Sequence, residues 1–156
     1  MRTTMRTKIG RIALVATVAA VLVGAFTLPG SANTGRYRDR WQMLRATNGS
    51  RFHHELRRVD LSKKLSRIAK HHSAKMADRN TLFHTSNPGS VYLKGVRWHY
   101  WGENVGVTGG DVGDLETAFM KSAPHRWNIL NRSYDHVAIG TVRDHGTLWV
   151  TVFFWG

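Results

Sequence analysis

Apolar and polar positions recur with a helical period most clearly over residues 62–80. Leu61, Leu65, Ile68, His72 and Met76 fall on one stripe, and Lys63, Arg67, Lys70 and His71 fall on the opposite side. This spacing predicts an amphipathic helix with Asp60 or Ser62 as its cap and a cationic face turned to solvent. A shorter helix is expected over 38–48, where Trp41, Leu44 and Arg45 keep helical spacing and Asn48-Gly49 offers a stop.

Later segments change period. "TSNPGS", residues 85–90, is a turn by composition. Residues 98–108 are aromatic and glycine-rich and read as a strand followed by a loop. Asp111 or Asp114 can cap a short helix bearing Leu115, Ala118 and Phe119. Ser122 can cap another through Leu130, with Pro124 tolerated in its first turn. Two β-branched and aromatic runs, "HVAIGTVR" and "LWVTVFFW", flank Asp144-His145-Gly146, a hairpin turn with glycine where positive φ is needed. Helices, then mixed elements, then a hairpin predict an α+β domain with a largely antiparallel sheet.

The start of the chain belongs to a different class. Arg2, Arg6, Lys8 and Arg11 form a basic region without acids, residues 12–26 are apolar, and Gly30-Ser31-Ala32 supplies the small residues a signal peptidase reads. That run is short for a membrane-spanning helix, which needs about 20 residues. The expectation is a cleaved secretory signal peptide over 1–32, with an uncleaved N-terminal anchor as the alternative. One domain over 33–156 follows, with no transmembrane helix of its own. It contains no cysteine, so its core must hold without disulfides.

Charge divides that domain in two. Residues 33–79 carry thirteen Lys or Arg against four Asp or Glu, a net of +9, whereas residues 80–156 carry six against six and are neutral. A one-sided excess of this kind suits anionic partners such as cell-envelope polymers or lipid headgroups; a merely solvated surface is the bland alternative. No nucleic-acid recognition motif accompanies the charge, and export argues against nucleic acid as the main partner.

Of the nine histidines, His53 and His54 read as loop residues, His71 belongs to the basic face, and His72 reads as a hydrogen-bonded core residue. Three stretches instead set a reactive group among aromatics and turn-formers: "LFHTS" at His84, "WGEN" at Glu103 and "PHRWNIL" at His125. With Ser122 as N-cap, His125 sits in the first helical turn, where the positive end of the helix dipole favours the neutral ring. Metalloprotease, nucleophile-elbow, P-loop and dinucleotide signatures are absent, and spacing alone does not join the three.

The order Ala69, Ser73, Met76, then "HTS", "GEN", "SAPHRWNIL" and Ile139-Gly140 resembles the bacterial, cysteine-free branch of the CAP superfamily (cysteine-rich secretory protein, antigen 5, pathogenesis-related 1; the SCP domain). The likeness covers residues 40–155. It implies a three-layer α-β-α sandwich around a central, mainly antiparallel sheet. It also implies a cleft where His84, Glu103 and His125 converge, with Ser122 and Trp101 beside them. Some members hold a divalent metal there, and two imidazoles with a carboxylate, His84, His125 and Glu103, would suit zinc. Glu103 is then the candidate catalytic acid or base.

One departure stands out: fuller members have a second glutamate a turn past an aromatic residue, and here Phe119 is followed at that place by Ser122. Glu116 lies a turn upstream and is expected to face elsewhere, which puts a two-carboxylate scheme in doubt. The implied function is a monomeric, secreted or cell-wall-associated module that binds anionic envelope polymers or a lipid ligand between Trp98, Tyr100 and Trp101. A metal-assisted peptidase or esterase is the alternative. That the trio only ties loops together stays open as well.

Overall fold

The amphipathic stripe forms a helix that lies across one face of a sheet. The computed structural model describes residues 35–156, so the expected signal segment lies outside the described residues. The elements run α1 (Gly35–His53), β1 (Asp60–Leu61), α2 (Lys63–Asp78), α3 (Pro88–Tyr92), β2 (Trp101–Thr108), α4 (Val112–Lys121), α5 (Ala123–Ile129), β3 (His136–Asp144) and β4 (Thr147–Trp155). Among the described residues no helix is long and apolar enough to cross a membrane. Strand order is β1-β3-β4-β2. β4 pairs antiparallel with both neighbours, and only the two-residue β1 runs parallel, to β3. α2 packs on β3 and β4 with α3 beside it, while α1, α4 and α5 cover the other face. This is the expected α+β sandwich, with a mixed four-strand sheet between helices.

Local chemistry explains most of the elements. Ser62 caps α2 by accepting the Leu65 N–H at 3.2 Å. The β3–β4 register leaves a two-residue turn, His145 (φ 47°) and Gly146 (φ 81°). Two successive positive φ values match the twist of the flanking strands. On β4, Leu148, Val150, Val152 and Phe154 join Met43, Leu115, Phe119 and Ile129 in the larger apolar cluster. Phe153 and Trp155 turn to α2 and α3, onto Leu65, Ala69 and Tyr92. There α2 rests directly on strand backbone: a Cβ at Gly140 would stand 2.1 Å from the carbonyl carbon of Ala69.

Two expectations are corrected. α1 does not stop at Asn48-Gly49 but continues to His53. Asn48 spends its side chain on the next segment, donating to Val59 O at 3.1 Å and accepting the Val59 N–H at 2.9 Å. One turn on, the buried Arg51 donates to the carbonyls of Arg57, Ile129, Asn131 and Tyr134. Satisfying that guanidinium requires the extra turn. Over 98–108 the order is loop then strand. The N–H groups of His99 and Tyr100 both donate to Gly156 O, at 2.7 and 3.0 Å, so regular pairing begins only at Trp101.

Candidate functional site

β2 is an edge strand, and its alternation decides which groups meet. Glu103 pairs across from Phe153 on the α2 side. Gly102 and Gly106 face the other helices, where a Cβ would collide with Asn128 and Tyr134, or with Leu115 and Phe119. These glycines let α4 and α5 approach the strand closely.

The Glu103 side chain is 1% exposed and is held by three donors. His84 Nδ1 and the Thr85 N–H donate to Oε1 at 3.0 and 2.8 Å, and Thr85 Oγ1 donates to Oε2 at 2.6 Å. Hydrogen bonds to an ionised carboxylate are the stronger kind. With the Nδ1 proton directed at the acid, a neutral His84 presents Nε2 as an acceptor. Its side chain keeps 28% exposure, so this ring is the part of the cluster that reaches solvent.

A second network locks "GEN" to "HRWNIL". Asn104 Nδ2 donates to His125 O at 3.0 Å, and Asn128 Nδ2 donates to Asn104 Oδ1 at 2.8 Å and to Glu103 O at 3.3 Å. The backbone beneath both candidate side chains is thereby fixed. The His125 ring stacks on Phe119 at 4.9 Å, and its Nδ1 lies 2.8 Å from Ser122 Oγ. Ser122 occupies the N-cap position of α5 but makes no side-chain cap, since its hydroxyl serves His125. Burial lowers the His125 pKa, and the nearby His84 charge lowers it further. The ring is neutral as the sequence suggests, but desolvation is the main cause and not the dipole of a seven-residue helix.

A deeper layer lies on the α2 side. His72 Nδ1 stands 3.1 Å from Thr151 Oγ1, which is 2.9 Å from Ser73 Oγ. Ser73 faces two carbonyl oxygens, of Gly140 and Ala69, at 3.1 and 3.2 Å. Its single proton must go to a carbonyl, so Thr151 donates to Ser73 and accepts from His72 Nδ1. The His72 Nε2 is buried without a partner among the described residues. Burial lowers the His72 pKa and raises that of Tyr92; in both the Glu103 charge acts second, in the raising direction.

The structure thus joins His84 to Glu103, whereas His125 stands within electrostatic reach of His84 and hydrogen-bonds to neither. Among the described residues no group of three His, Cys, Asp or Glu side chains is placed to hold a metal ion. Both Glu103 oxygens accept hydrogen bonds, from His84 and from Thr85. Glu116 faces α1, accepting from Ser50 Oγ at 2.7 Å and Thr47 Oγ1 at 3.3 Å, so no second carboxylate joins the site. Trp101 stacks on Phe153, and Trp98 packs on the same cluster. Tyr100 remains 59% exposed. Thr85, Asn104 and Asn128 are the site-building residues that the sequence alone does not single out. Their one signal is membership of the "HTS", "GEN" and "NIL" triplets.

Residues 44–154 match the model of the cysteine-rich secretory protein (CAP) family. The chain is 30% identical over 117 residues to the uncharacterized protein YkwD of Bacillus subtilis (strain 168), covering 72% of this chain and 45% of that one. An extracellular protein containing an SCP domain from Bacillus anthracis superposes with a TM-score of 0.67 at 25% identity, over 81% of this chain and 45% of that chain. NaASP2, solved with Zn2+, superposes with a TM-score of 0.56 at 12% identity, over 80% and 83% of the two chains, and shows the fold alone. The chain spans less than half the length of the two Bacillus proteins.

Proposed function

Because the chain belongs to the cysteine-rich secretory protein (CAP) family, we propose that it is an extracellular binding module of the cell envelope, acting as a monomer. The ligand in this reading is apolar or amphipathic and meets the β2 edge at His84 and Tyr100. The domain is related to bacterial extracellular SCP proteins, and its expected leader and one-sided positive charge suit an anionic envelope.

One observation carries the choice of binding over hydrolysis. A general base needs a free lone pair aimed at the proton it removes. Glu103 is 1% exposed and its oxygens face His84 and Thr85, so the carboxylate is aimed at its own supports and not at a bound substrate. The His84 Nδ1 bond to this anchored carboxylate holds the partly exposed imidazole in one orientation, which favours recognition.

A fluorescent fatty acid titrated into the protein tests this. His84→Ala combined with Tyr100→Ala is expected to weaken binding on the order of tenfold, as loss of a hydrogen bond and an aromatic contact would. The melting temperature should fall only modestly, since the buried Glu103 carboxylate loses the His84 donor but keeps both Thr85 donors. Ester or peptide hydrolysis that vanishes in a folded Glu103→Gln variant would overturn the reading in favour of a hydrolase.

A further inference from the structure

Helix α1 hides one side and displays another. Asp39, Met43, Thr47 and Arg51 are buried at successive turns. Roughly opposite them on a 3.6-residue period, Arg38, Trp41, Arg45 and Phe52 face outward. Trp41 keeps 46% and Phe52 67% of its surface exposed. The one acid of α1, Asp39, is turned inward and held by Arg143 Nε at 2.8 Å, so the outward stripe carries no negative charge. The loop that follows adds exposed Arg57 and Arg58 and a single acid, Glu55. Among the described residues none of these four arginines takes part in an ion pair.

A solvated face accounts for arginines but not for a tryptophan and a phenylalanine among them. Rings alternating with guanidinium groups suit a bilayer interface, where the rings enter the boundary between headgroups and acyl chains and the cations meet phosphates. The molecule supplies its own contrast. On the opposite face of the sheet, α2 shows Lys63, Lys64 and Arg67 to solvent without an exposed Trp, Tyr or Phe. That surface can attract a polyanion, but it has nothing to insert.

We infer that the outward stripe of α1 docks the domain on an anionic lipid bilayer, with Trp41 and Phe52 inserted among the headgroups and Arg38, Arg45, Arg57 and Arg58 on the phosphates. This rests on the extracellular binding reading only in requiring that the domain reach a membrane surface; the β2 edge takes no part in it.

The test uses the protein without its expected leader, residues 33–156, which contain every described strand and apolar cluster, after a cooperative thermal melt has shown that they fold. Co-sedimentation is measured with phosphatidylglycerol and with phosphatidylcholine vesicles, and with soluble polyphosphate as competitor. Binding is expected for phosphatidylglycerol only. Trp41→Ser with Phe52→Ser, which leaves the charge unchanged, should weaken it on the order of tenfold or more. Arg38→Gln with Arg45→Gln should cost about fivefold per arginine.

Lys64→Gln with Arg67→Gln should cost less than about threefold, since α2 packs on the other face of the sheet from α1 and exposed charges are screened by salt. The inference is overturned if phosphatidylglycerol vesicles are not bound, or if the aromatic pair is dispensable. It is equally overturned if the α2 pair matters as much as the α1 pair, or if polyphosphate binds with the same affinity and the same variant pattern. Thermal melts confirm that each variant is folded. His84→Ala should leave vesicle binding intact, so a failure of the β2-edge reading and a failure of this inference give different results.

Discussion

Along β4, Val150 and Val152 point into aliphatic and aromatic side chains from α1 and α4, whereas Thr151 between them points at His72 and Ser73 of α2. The first face is sealed by volume. The second is sealed by close approach, with Ala69 set against Gly140, and by a hydrogen-bond chain that leaves one imidazole nitrogen over. Glu103 and His84 lie on this second face, next to Phe153, Tyr92 and His72. This candidate pair therefore sits where packing tolerates least change, while the bulk of the core is assembled on the other side of the same strand.

That contrast predicts opposite failures. Adding a methyl group by Gly140→Ala should remove folded protein or cost more than about 4 kcal/mol, since the neighbour that must yield is helix backbone. Deleting volume on the other face, by Phe154→Ala, should cost about 3–5 kcal/mol. Urea denaturation of both would show it; a mild effect of the added methyl group would break the distinction. Thr151→Val should cost about 1–3 kcal/mol by stranding His72 Nδ1 and Ser73, whereas the volume-conserving Leu148→Met on the other face should cost less than about 1.5 kcal/mol. Equal losses at the two positions would mean that the polar chain confers nothing special.

Acidity should separate the faces too. The folded His72 pKa lies below its ordinary value of 6.5, so its contribution is complete above that pH and is lost as pH falls through it. Glu116, among the helices of the other face, is raised above 4.5 by burial, so its contribution is complete below that value and is lost as pH rises through the folded pKa. Melting curves against pH should show His72→Gln flattening the acid limb and Glu116→Gln flattening the loss toward neutrality. The second substitution should change stability at neutral pH by less than about 1 kcal/mol, because the amide can still accept from Ser50. Identical pH profiles for wild type and both variants would remove the electrostatic half of the comparison.

Sequence periodicity makes α2 and the terminal hairpin legible because both are governed by neighbours in the chain: a 3.6-residue stripe in one, a turn with positive φ in the other. The end of α1 is not legible in this way. Asn48 looks like a stop until Val59 arrives to occupy its amide, and Arg51 reaches carbonyls as distant as Tyr134. His84 and Glu103 stand out locally as reactive groups among aromatics and turn-formers, but only the family likeness implies that they meet, and their contact depends on an edge strand whose place in the sheet no local pattern reveals. A motif names a carboxylate without telling which donors hold it; those on Glu103 come from His84 and Thr85, neighbours in the chain.

The two parallel pairs between β1 and β3, Asp60 with His136 and Leu61 with Val137, carry a consequence for biogenesis. The β3–β4 hairpin can zip from its own tight turn, but β1 must wait for a loop of most of the domain to close around it, which slows folding. α1 and α2 are synthesised first, yet they have no sheet to lie on until β4 is made, because β4 is the strand that both β3 and β2 require. A ribosome stalled shortly before β4 should therefore hold helices that proteases cut readily, and protection should appear abruptly once β4 is released.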